Sequence, residues 1–342
     1  MDASLNRIAE GLRYLEDVSR FLLNDASITT QLKSMRHGLV ESDTAFQQRL
    51  LAARDAVGDV GVNLETPGQK KLRDLPASVV ANARRVQEGL RTLEEFSKVH
   101  AIAPHLTPGK LGEARFALYT IEKDLLGRLL RQERAKLVRG VYVIIDTEAL
   151  RGRSHVEATR QAIRGGAAVI QLRHKTRDLG EILPAAREMK SCCAAAGIPF
   201  IANDYLDLAQ AVEADGLHVG QTDLPVTILR KLAPLDMIIG CSVSDVAQAK
   251  RAVADGADHV AVGAIFPTSS KESVVTGIEA LRQVRAAVNV PVVAIGGITA
   301  GNIAQVKAMG ADSAAVISAV LGAADPEEAT RDLVREFEGK HG

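Results

Sequence analysis

Eight short apolar runs alternate with helical segments in the second part of the chain, and this alternation restricts the fold more than any other feature. The runs are rich in β-branched residues and mostly continuous, as expected for parallel strands buried on both faces. They lie at Val141–Ile145, Ala168–Leu172, Phe200–Ala202, Leu217–Val219, Met237–Cys241, His259–Gly263, Val292–Ile295 and Ala314–Ile317. Eight such strands predict a (β/α)8 TIM barrel. An open doubly wound sheet is the structural alternative, although such sheets usually contain fewer strands.

The first part of the chain follows a different pattern, with helical periodicity and no predicted strand. Helices are expected at Leu5–Leu22, Leu32–Ala56, Ala77–Val99 and Leu111–Arg134. Gly and Pro lie in the breaks between them. The sequence therefore predicts an α/β protein with two domains, an all-α helical domain over residues 1–135 and a barrel over residues 136–342.

The helical part contains an internal duplication. The tetrapeptide Glu-Gly-Leu-Arg at Glu10–Arg13 recurs at Glu88–Arg91, and the pair Leu15–Glu16 recurs at Leu93–Glu94. A second set of matches is shifted by one residue relative to the first. It pairs Leu32, Arg36, Leu39 and Leu51 with Leu111, Arg115, Leu118 and Leu130. A two-helix unit that occurs twice predicts a four-helix bundle or a related helical packing.

Composition and charge exclude several classes of partner. The formal net charge is +0, so any anion must be held by a local site rather than by a bulk field. Aromatic residues make up 3% of the chain and Trp is absent, which argues against a base-stacking surface. No apolar run has the length of a membrane span, and the first residues do not resemble a signal peptide. We therefore expect a cytoplasmic protein with small-molecule partners, no nucleic acid and no membrane, and the sequence leaves a homo-oligomer open.

Polar residues follow the predicted strands at the end where barrels carry their active sites. After the second strand come Gln171, Leu172, Arg173, His174 and Lys175. Two cations and an amide at one loop suit a polyanion such as pyrophosphate. Viewed alone, the same segment could be a solvated basic turn.

Two aspartates follow the third and fourth strands. Asn203 and Asp204 end one strand, and Asp223 lies in the loop after the next. Carboxylates on adjacent loops can share one hard cation, and Mg²⁺ typically takes one or two carboxylates together with substrate phosphates. Each aspartate alone would more often be a turn or cap residue.

The remaining strand ends supply groups that suit a second anion. Ser242 follows the fifth strand, and the loops after the sixth to eighth strands carry Thr268, Ser269, Ser270, Lys271, Gly297, Ile317 and Ser318. Barrels commonly build a phosphate site from the loops after strands seven and eight. The joint placement of these groups predicts a site with two anion-binding positions and one divalent metal ion. Such a site suits phosphorylated substrates.

Taken together, these motifs resemble the thiamine-phosphate synthase family. The resemblance rests on Gln171-Leu172-Arg173-x-Lys175, Asn203-Asp204, His218-Val219-Gly220-Gln221-x-Asp223, Gly263-x-Ile265-Phe266-Pro267-Thr268-x-Ser270-Lys271 and Ile295-Gly296-Gly297-Ile298. They occur in the family's order and cover almost all of residues 138–335. The sequence departs from the family at His174, where an acidic residue is usual, and at Ser244, where His is frequent.

The resemblance implies that the barrel joins 4-amino-2-methyl-5-hydroxymethylpyrimidine diphosphate to a thiazole phosphate and releases diphosphate. It leaves open whether the thiazole carries a carboxylate. It implies Mg²⁺ at Asp204 and Asp223, with Arg173, Lys175, Ser242 and Lys271 as catalytic groups. The implied pyrimidine-diphosphate site is Gln171, Leu172, Arg173, His174, Lys175, Asn203, Ser242 and Lys271. The implied thiazole-phosphate site is Thr268, Ser269, Ser270, Gly297, Ile317 and Ser318.

Two other functions remain open from the sequence. A thiazole tautomerase on the same barrel would need an acid/base side chain but no pair of metal ligands. A non-catalytic sensor of the thiamine pathway would bind ligand without turnover. The helical part resembles a domain that is fused to some synthases, and this resemblance implies a pyrimidine-phosphate kinase. The sequence has no Gly-x-x-x-x-Gly-Lys-[Ser/Thr] loop for binding ATP phosphates.

Overall fold

The chain contains two compact units in the computed structural model, Met1–Leu130 and Arg131–Gly342. The structure describes residues 1–40, 44–54, 73–99, 106–175, 178–268 and 275–339. Each unit has its own hydrophobic core. Among these described residues, no helix combines the length and the apolar character needed to cross a bilayer.

The first unit is helical, as the sequence predicts. Its helices are α1 (Asp2–Asp17), α2 (Ala26–Val40), α3 (Thr44–Ala52), α4 (Leu75–Phe96) and α5 (Pro108–Ala135), the last of which extends beyond the unit. A π-helical turn at Val18–Leu22 follows α1. Helix α2 begins earlier than predicted because the Asp25 side chain accepts a hydrogen bond from the Ile28 N–H at 3.0 Å and caps it.

The repeated glycine of the Glu-Gly-Leu-Arg motif lies where α1 and α4 cross. A Cβ on Gly11 would lie 2.5 Å from Val86 Cγ2, and a Cβ on Gly89 would lie 2.8 Å from Ile8 Cγ1. Ile8 and Val86 occupy equivalent positions of the two repeats, so each repeat inserts an aliphatic side chain over the glycine of the other. The duplicated motif therefore permits a close helix–helix approach.

Each repeat also contains a buried carboxylate paired with an arginine. Glu16 Oε2 accepts a hydrogen bond from Arg36 Nε at 3.0 Å, and Glu94 Oε1 accepts one from Arg115 Nε at 2.9 Å. Both carboxylates are nearly inaccessible to solvent. Neighbouring Arg91, in contrast, is exposed and pairs both with buried Glu94 and with exposed Glu95. The duplication thus preserves both a helix crossing and a buried ion pair.

The second unit is a closed barrel of eight parallel strands in sequential order, and β1 pairs with β8. The strands are β1 (Gly140–Asp146), β2 (Val169–Arg173), β3 (Phe200–Asn203), β4 (Gly216–Val219), β5 (Ile238–Val243), β6 (His259–Val262), β7 (Val292–Ile295) and β8 (Ser313–Val316). The predicted TIM barrel is confirmed, and the open sheet is excluded because β1 and β8 close the ring.

Helices connect the strands and cover the barrel. They are α6 (Thr147–Leu150), α7 (His155–Arg164), α8 (Leu179–Ala196), α9 (Leu206–Ala211), α10 (Val226–Leu232), α11 (Val246–Ala254), α12 (Gly277–Ala287), α13 (Ile303–Ala308), α14 (Ser318–Leu321) and α15 (Pro326–Glu338). Alternate strand residues divide between two cores. Val141 and Val143 belong to the core that the helices cover, whereas Tyr142 and Ile144 belong to the core inside the barrel.

A repeated aspartate holds the amino-terminal side of the barrel. Asp215, Asp258 and Asp312 come directly before β4, β6 and β8, respectively. Each accepts a hydrogen bond from a backbone N–H of the preceding strand. Each also pairs with a cation: Lys190, Arg230 and Arg285, respectively. Ala168 occupies the equivalent position before β2. Its backbone N–H donates to Val141 O of β1, just as the backbone N–H of each aspartate donates to a carbonyl of the preceding strand. These hydrogen bonds and ion pairs stabilise the amino-terminal face of the barrel, opposite the expected site.

Candidate active site

Two adjoining cavities open among the carboxyl ends of the strands. The first has a volume of about 180 Å³ and a mostly apolar lining, and the second has a volume of about 310 Å³ and a mostly polar one. Both are lined by Arg173, Asn203, His218, Ser242 and Gly263. A ligand with an apolar ring and a charged group could therefore occupy both at once.

Most of the residues selected from the sequence meet at these cavities. Those lining the first are Gln171, Arg173, Asn203, Ser242, Thr268, Gly297, Ile317 and Ser318. Those lining the second are Arg173, Lys175, Asn203, Asp204, Asp223 and Ser242. Three further predicted residues, Ser269, Ser270 and Lys271, lie outside the described residues.

Two predicted residues line neither cavity. Leu172 is buried in the core between strands and helices, because it points outward from β2. Any contact of Leu172 with a substrate in these cavities is therefore left to its backbone. His174 is nearly buried, and its Nδ1 lies 3.0 Å from Thr147 Oγ1, which also contacts His155 Nε2 at 2.9 Å. His174 thus belongs to a hydrogen-bonded network beside the site.

Carboxylates orient the two cations at the carboxyl end of β2. Arg173 forms an ion pair with Asp146, whose other oxygen caps α6 by accepting from the Ala149 N–H at 2.8 Å. Lys175 Nζ lies 2.5 Å from Asp204 Oδ2. Both cations face the second cavity. An anion in that cavity would meet two positive groups that are already held in place.

Asp223 lies close enough to Asp204 to affect the pKa of Asp204. Partial burial raises the pKa of Asp204, Lys175 lowers it, and the negative charge of Asp223 raises it further. Asp204 also has a left-handed backbone with φ of 65°, a conformation that is uncommon for residues other than glycine. Asp223 Oδ2 accepts a hydrogen bond from the Gly220 N–H at 2.7 Å.

Two adjacent carboxylates of this kind fit a hard divalent cation. Their mutual repulsion favours a counterion, and oxygen is the ligand that Mg²⁺ prefers. Within the described ranges, no group of three or more His, Cys, Asp and Glu side chains could hold a metal by itself. Mg²⁺ sites of this type commonly complete their coordination with substrate oxygens and water.

Close backbone contacts shape the part of the site after β6 and β7. Ile265 N–H donates to Ile295 O at 2.9 Å, and Phe266 N–H donates to Gly296 O at 3.0 Å. Gly297 has φ of 64°, and a Cβ there would lie 2.4 Å from Pro267 O. Only glycine fits this position, because both the backbone conformation and the space exclude a side chain.

Polar residues inside the barrel form the floor of the first cavity, and the sequence predicted Gln171 and Ser242 as site residues but not Tyr142, His218 or His259. Gln171 Nε2 donates to the Tyr142 hydroxyl at 2.7 Å, and His218 Nε2 lies 2.9 Å from Ser242 Oγ. His259 completes the floor and is fully buried. A polar residue within each of the otherwise apolar runs of β1, β4 and β6 was the available signal, although the sequence does not show which face of the strand that residue occupies.

Burial controls the ionisation of this floor. It raises the pKa of the Tyr142 hydroxyl far above its usual range, so this group stays protonated. Burial also lowers the pKa of His259 to about 3, with smaller contributions from His218 and Arg230. Tyr142 and His259 therefore offer neutral hydrogen-bonding groups to the cavity rather than charges.

Comparisons with known proteins agree with this geometry. Residues 141–320 match the family model described as thiamine monophosphate synthase, and residues 1–124 match the model described as the ThiD2 family. Thiamine-phosphate synthase of Thermosynechococcus vestitus is 36% identical over 98% of this chain and 94% of its own length. The enzyme of the same name from Methanocella arvoryzae is 48% identical but aligns with 56% of this chain and 92% of its own.

A solved structure extends the similarity to the fold. Thiamine phosphate pyrophosphorylase from Pyrococcus furiosus superposes with a TM-score of 0.56 and 38% sequence identity. The match covers 61% of this chain and all of that one. Relatives thus include both proteins as long as this chain and shorter ones.

Proposed function

This chain belongs to the thiamine-phosphate synthase family of transferases, and we propose that its two adjoining cavities bind the two substrates of that reaction. The substrates are a pyrimidine methyl diphosphate and a thiazole phosphate, and the products are thiamine phosphate and diphosphate. The observation that carries this proposal is the joining of an apolar cavity to a charged one through Arg173, Asn203 and Ser242. A pyrimidine ring suits the first cavity, and its diphosphate suits the second.

The leaving diphosphate is held by cations of the barrel rim. Arg173 and Lys175 line the charged cavity, and carboxylate partners orient both. Lys271 completes this set by its place in the sequence. When the bond between the methylene carbon and the diphosphate oxygen breaks, its electron pair leaves with the diphosphate, and these cations stabilise the growing negative charge.

Asp204 and Asp223 are the proposed ligands of Mg²⁺. The adjacency of the carboxylates and the raised pKa of Asp204 support this assignment, because a bound cation relieves their repulsion. When bound, the ion would neutralise part of the diphosphate charge. The diphosphate oxygens would supply its other ligands.

The thiazole phosphate is assigned to the loops after β6, β7 and β8. Thr268, Gly297, Ile317 and Ser318 border the first cavity on that side, and the sequence adds Ser269 and Ser270. The thiazole nitrogen already has a lone pair, so no general base is required to form its bond to the methylene carbon. Catalysis on this side of the site consists of positioning.

The test uses the purified full chain with both substrates and Mg²⁺, and measures release of diphosphate and formation of thiamine phosphate. Asp204→Asn and Asp223→Asn should each reduce turnover by about 10²–10³-fold, the loss typical of removing a group that stabilises transition-state charge. Asp207→Asn is the matched control, because this nearby carboxylate lines neither cavity. Near-normal turnover of both site variants would refute the metal assignment. Binding of both substrates without diphosphate release by the unmodified chain would instead indicate a sensor.

For the helical unit we propose phosphorylation of the pyrimidine monophosphate. The match of residues 1–124 to the ThiD2 family supports a role in the same pathway. Such an activity would supply the diphosphate that the barrel consumes, so one chain would carry two successive steps.

A further inference from the structure

His259 is a buried polar residue whose hydrogen-bonding capacity is unused in the part of the chain that the structure describes. Its side chain is fully inaccessible to solvent, and neither ring nitrogen has a hydrogen-bond partner. A buried polar group without a partner destabilises the folded state, so its presence calls for a functional explanation. His259 nevertheless borders the first cavity, where a ligand could supply the missing bond once the ring turns a nitrogen towards it.

The fold makes room for this imidazole by means of a glycine. In the strand register, Gly240 of β5 lies between His218 of β4 and His259 of β6. A Cβ on Gly240 would lie 2.1 Å from His259 Nε2 and 2.6 Å from His218 Nδ1. Any other residue at position 240 would displace the rings, whose centroids are 5.7 Å apart. The glycine therefore allows two histidines to share the barrel interior.

We propose that His259 determines specificity for the pyrimidine ring by forming a hydrogen bond with it at the floor of the first cavity. This inference rests on the proposed function and adds a residue to its pyrimidine site. A neutral imidazole presents one N–H donor and one acceptor nitrogen. An aminopyrimidine presents acceptor ring nitrogens and an amino donor, so the two are complementary.

A second unused group supports a heteroaromatic ring in the same place. Asn203 Nδ2 is buried and has no hydrogen-bond partner within the described segments, and Asn203 borders both cavities. Donors at Asn203 and His259 in a mostly apolar pocket suit a flat ring with polar edges.

The neutral state of His259 suits the reaction as well. Departure of diphosphate leaves positive charge on the methylene carbon and the pyrimidine ring, and a positive imidazolium nearby would oppose it. Burial keeps the pKa of His259 at about 3, so this residue can bond to the ring without adding a charge.

The experiment compares His259→Phe with the unmodified full chain. Isothermal titration with 4-amino-5-hydroxymethyl-2-methylpyrimidine, which lacks phosphate, measures ring binding alone. Loss of one neutral hydrogen bond should weaken its affinity about tenfold. The KM for the pyrimidine diphosphate should rise by a similar factor, and the KM for the thiazole phosphate should stay within about twofold. His259→Gln, which retains a donor and an acceptor, should lose less affinity than His259→Phe.

A stability measurement separates this role from a structural one. Phe supplies a flat ring of slightly larger size without an unsatisfied polar atom, so the melting temperature of ligand-free His259→Phe should equal or exceed that of the unmodified chain. Ser313→Ala is the control, because Ser313 is buried in the barrel, donates to Gly140 O at 2.8 Å and borders neither cavity. This control should lose stability but retain the affinity for the pyrimidine.

The outcomes distinguish this inference from the proposed function. If the chain makes thiamine phosphate and His259→Phe binds the pyrimidine as tightly as the unmodified chain does, the inference is overturned but the proposed function stands. A chain that binds the pyrimidine through His259 but releases no diphosphate overturns the proposed function alone. Absence of pyrimidine binding in the unmodified chain overturns both.

Discussion

At the scale of single residues, a buried neutral imidazole makes stability depend on pH, and His259 is such a group. Its pKa in the folded chain is about 3, whereas an unfolded chain has the ordinary value of about 6.5. Above about pH 6.5 both states are neutral and the residue contributes no pH dependence. Between about 6.5 and 3 the unfolded state alone binds the proton, so stability falls as the pH falls.

We predict a measurable difference between the unmodified chain and His259→Phe. From about pH 7.5 to about pH 5.5, the unmodified barrel should lose about 1.4 kcal/mol more unfolding free energy than the variant. Urea unfolding at the two pH values measures this difference. The contributions of the other histidines to the pH dependence cancel, because both proteins contain them. An equal pH dependence would contradict a buried neutral His259.

The sequence predicted the charged part of the site better than its floor. Arg173, Asp204 and Asp223 follow strands at the carboxyl edge, where loop residues of a barrel converge, and the structure brings them to one cavity. His259 could not be recognised in this way, because all four residues of β6 are buried. A short strand buried on both faces carries no polar alternation that would identify its inner side.

At the scale of structural elements, the crossing of α1 and α4 explains the duplicated Glu-Gly-Leu-Arg motif. The sequence showed the duplication but not its cause, because helical periodicity identifies a buried face without revealing which helix packs against it. The structure places Gly11 against Val86 and Gly89 against Ile8. The repeated glycines are thus accounted for by packing.

We predict that Gly11→Ala destabilises the helical unit although alanine favours helix. The gain in helix propensity is about 1 kcal/mol, whereas forcing a methyl group against Val86 Cγ2 and Asn82 O typically costs about 1–3 kcal/mol. Hydrogen exchange of α1 and α4 amides should therefore become faster. Gly38→Ala in α2 is the control, because no atom lies within 4 Å of the added Cβ, and it should leave exchange unchanged or slower. Slower exchange in Gly11→Ala would contradict the close crossing.

The repeated aspartate at the amino side of the barrel gives a second prediction. Asp258 accepts from the Ile239 N–H at 2.8 Å and pairs with Arg230 and Arg131. Asp258→Ala leaves these groups without their acceptor and should lower the unfolding free energy by about 2–4 kcal/mol.

The same substitution should leave catalysis intact at moderate temperature, because Asp258 borders neither cavity. Asp236→Ala is the control, since Asp236 forms a more exposed pair with Arg134 and should cost at most about 1 kcal/mol. Denaturant unfolding and substrate KM values test both effects. A raised KM in Asp258→Ala without loss of stability would show that the aspartate serves the site instead.

At the scale of the whole molecule, the order of elements was predictable because the barrel and the helical unit have different hydrophobic periods. All eight strands occur at the predicted places in the chain. The closure of the ring follows from the number of alternating strands and helices. The buried pairs Glu16–Arg36 and Glu94–Arg115 were not predicted, since the spacing of 20 or 21 residues joins different helices.

Two activities in one chain would make the helical unit responsible for the step before the barrel reaction. The full chain, given pyrimidine monophosphate, Mg-ATP and thiazole phosphate, should then produce thiamine phosphate without added pyrimidine diphosphate. Asp204→Asn should accumulate pyrimidine diphosphate under the same conditions, because only the barrel step is impaired. Residues 1–135 expressed alone should form the diphosphate if they fold, since Met1–Leu130 has its own hydrophobic core. If neither the full chain nor Asp204→Asn converts the monophosphate, and the barrel alone equals the full chain in synthase activity, the helical unit serves as a scaffold rather than as a kinase.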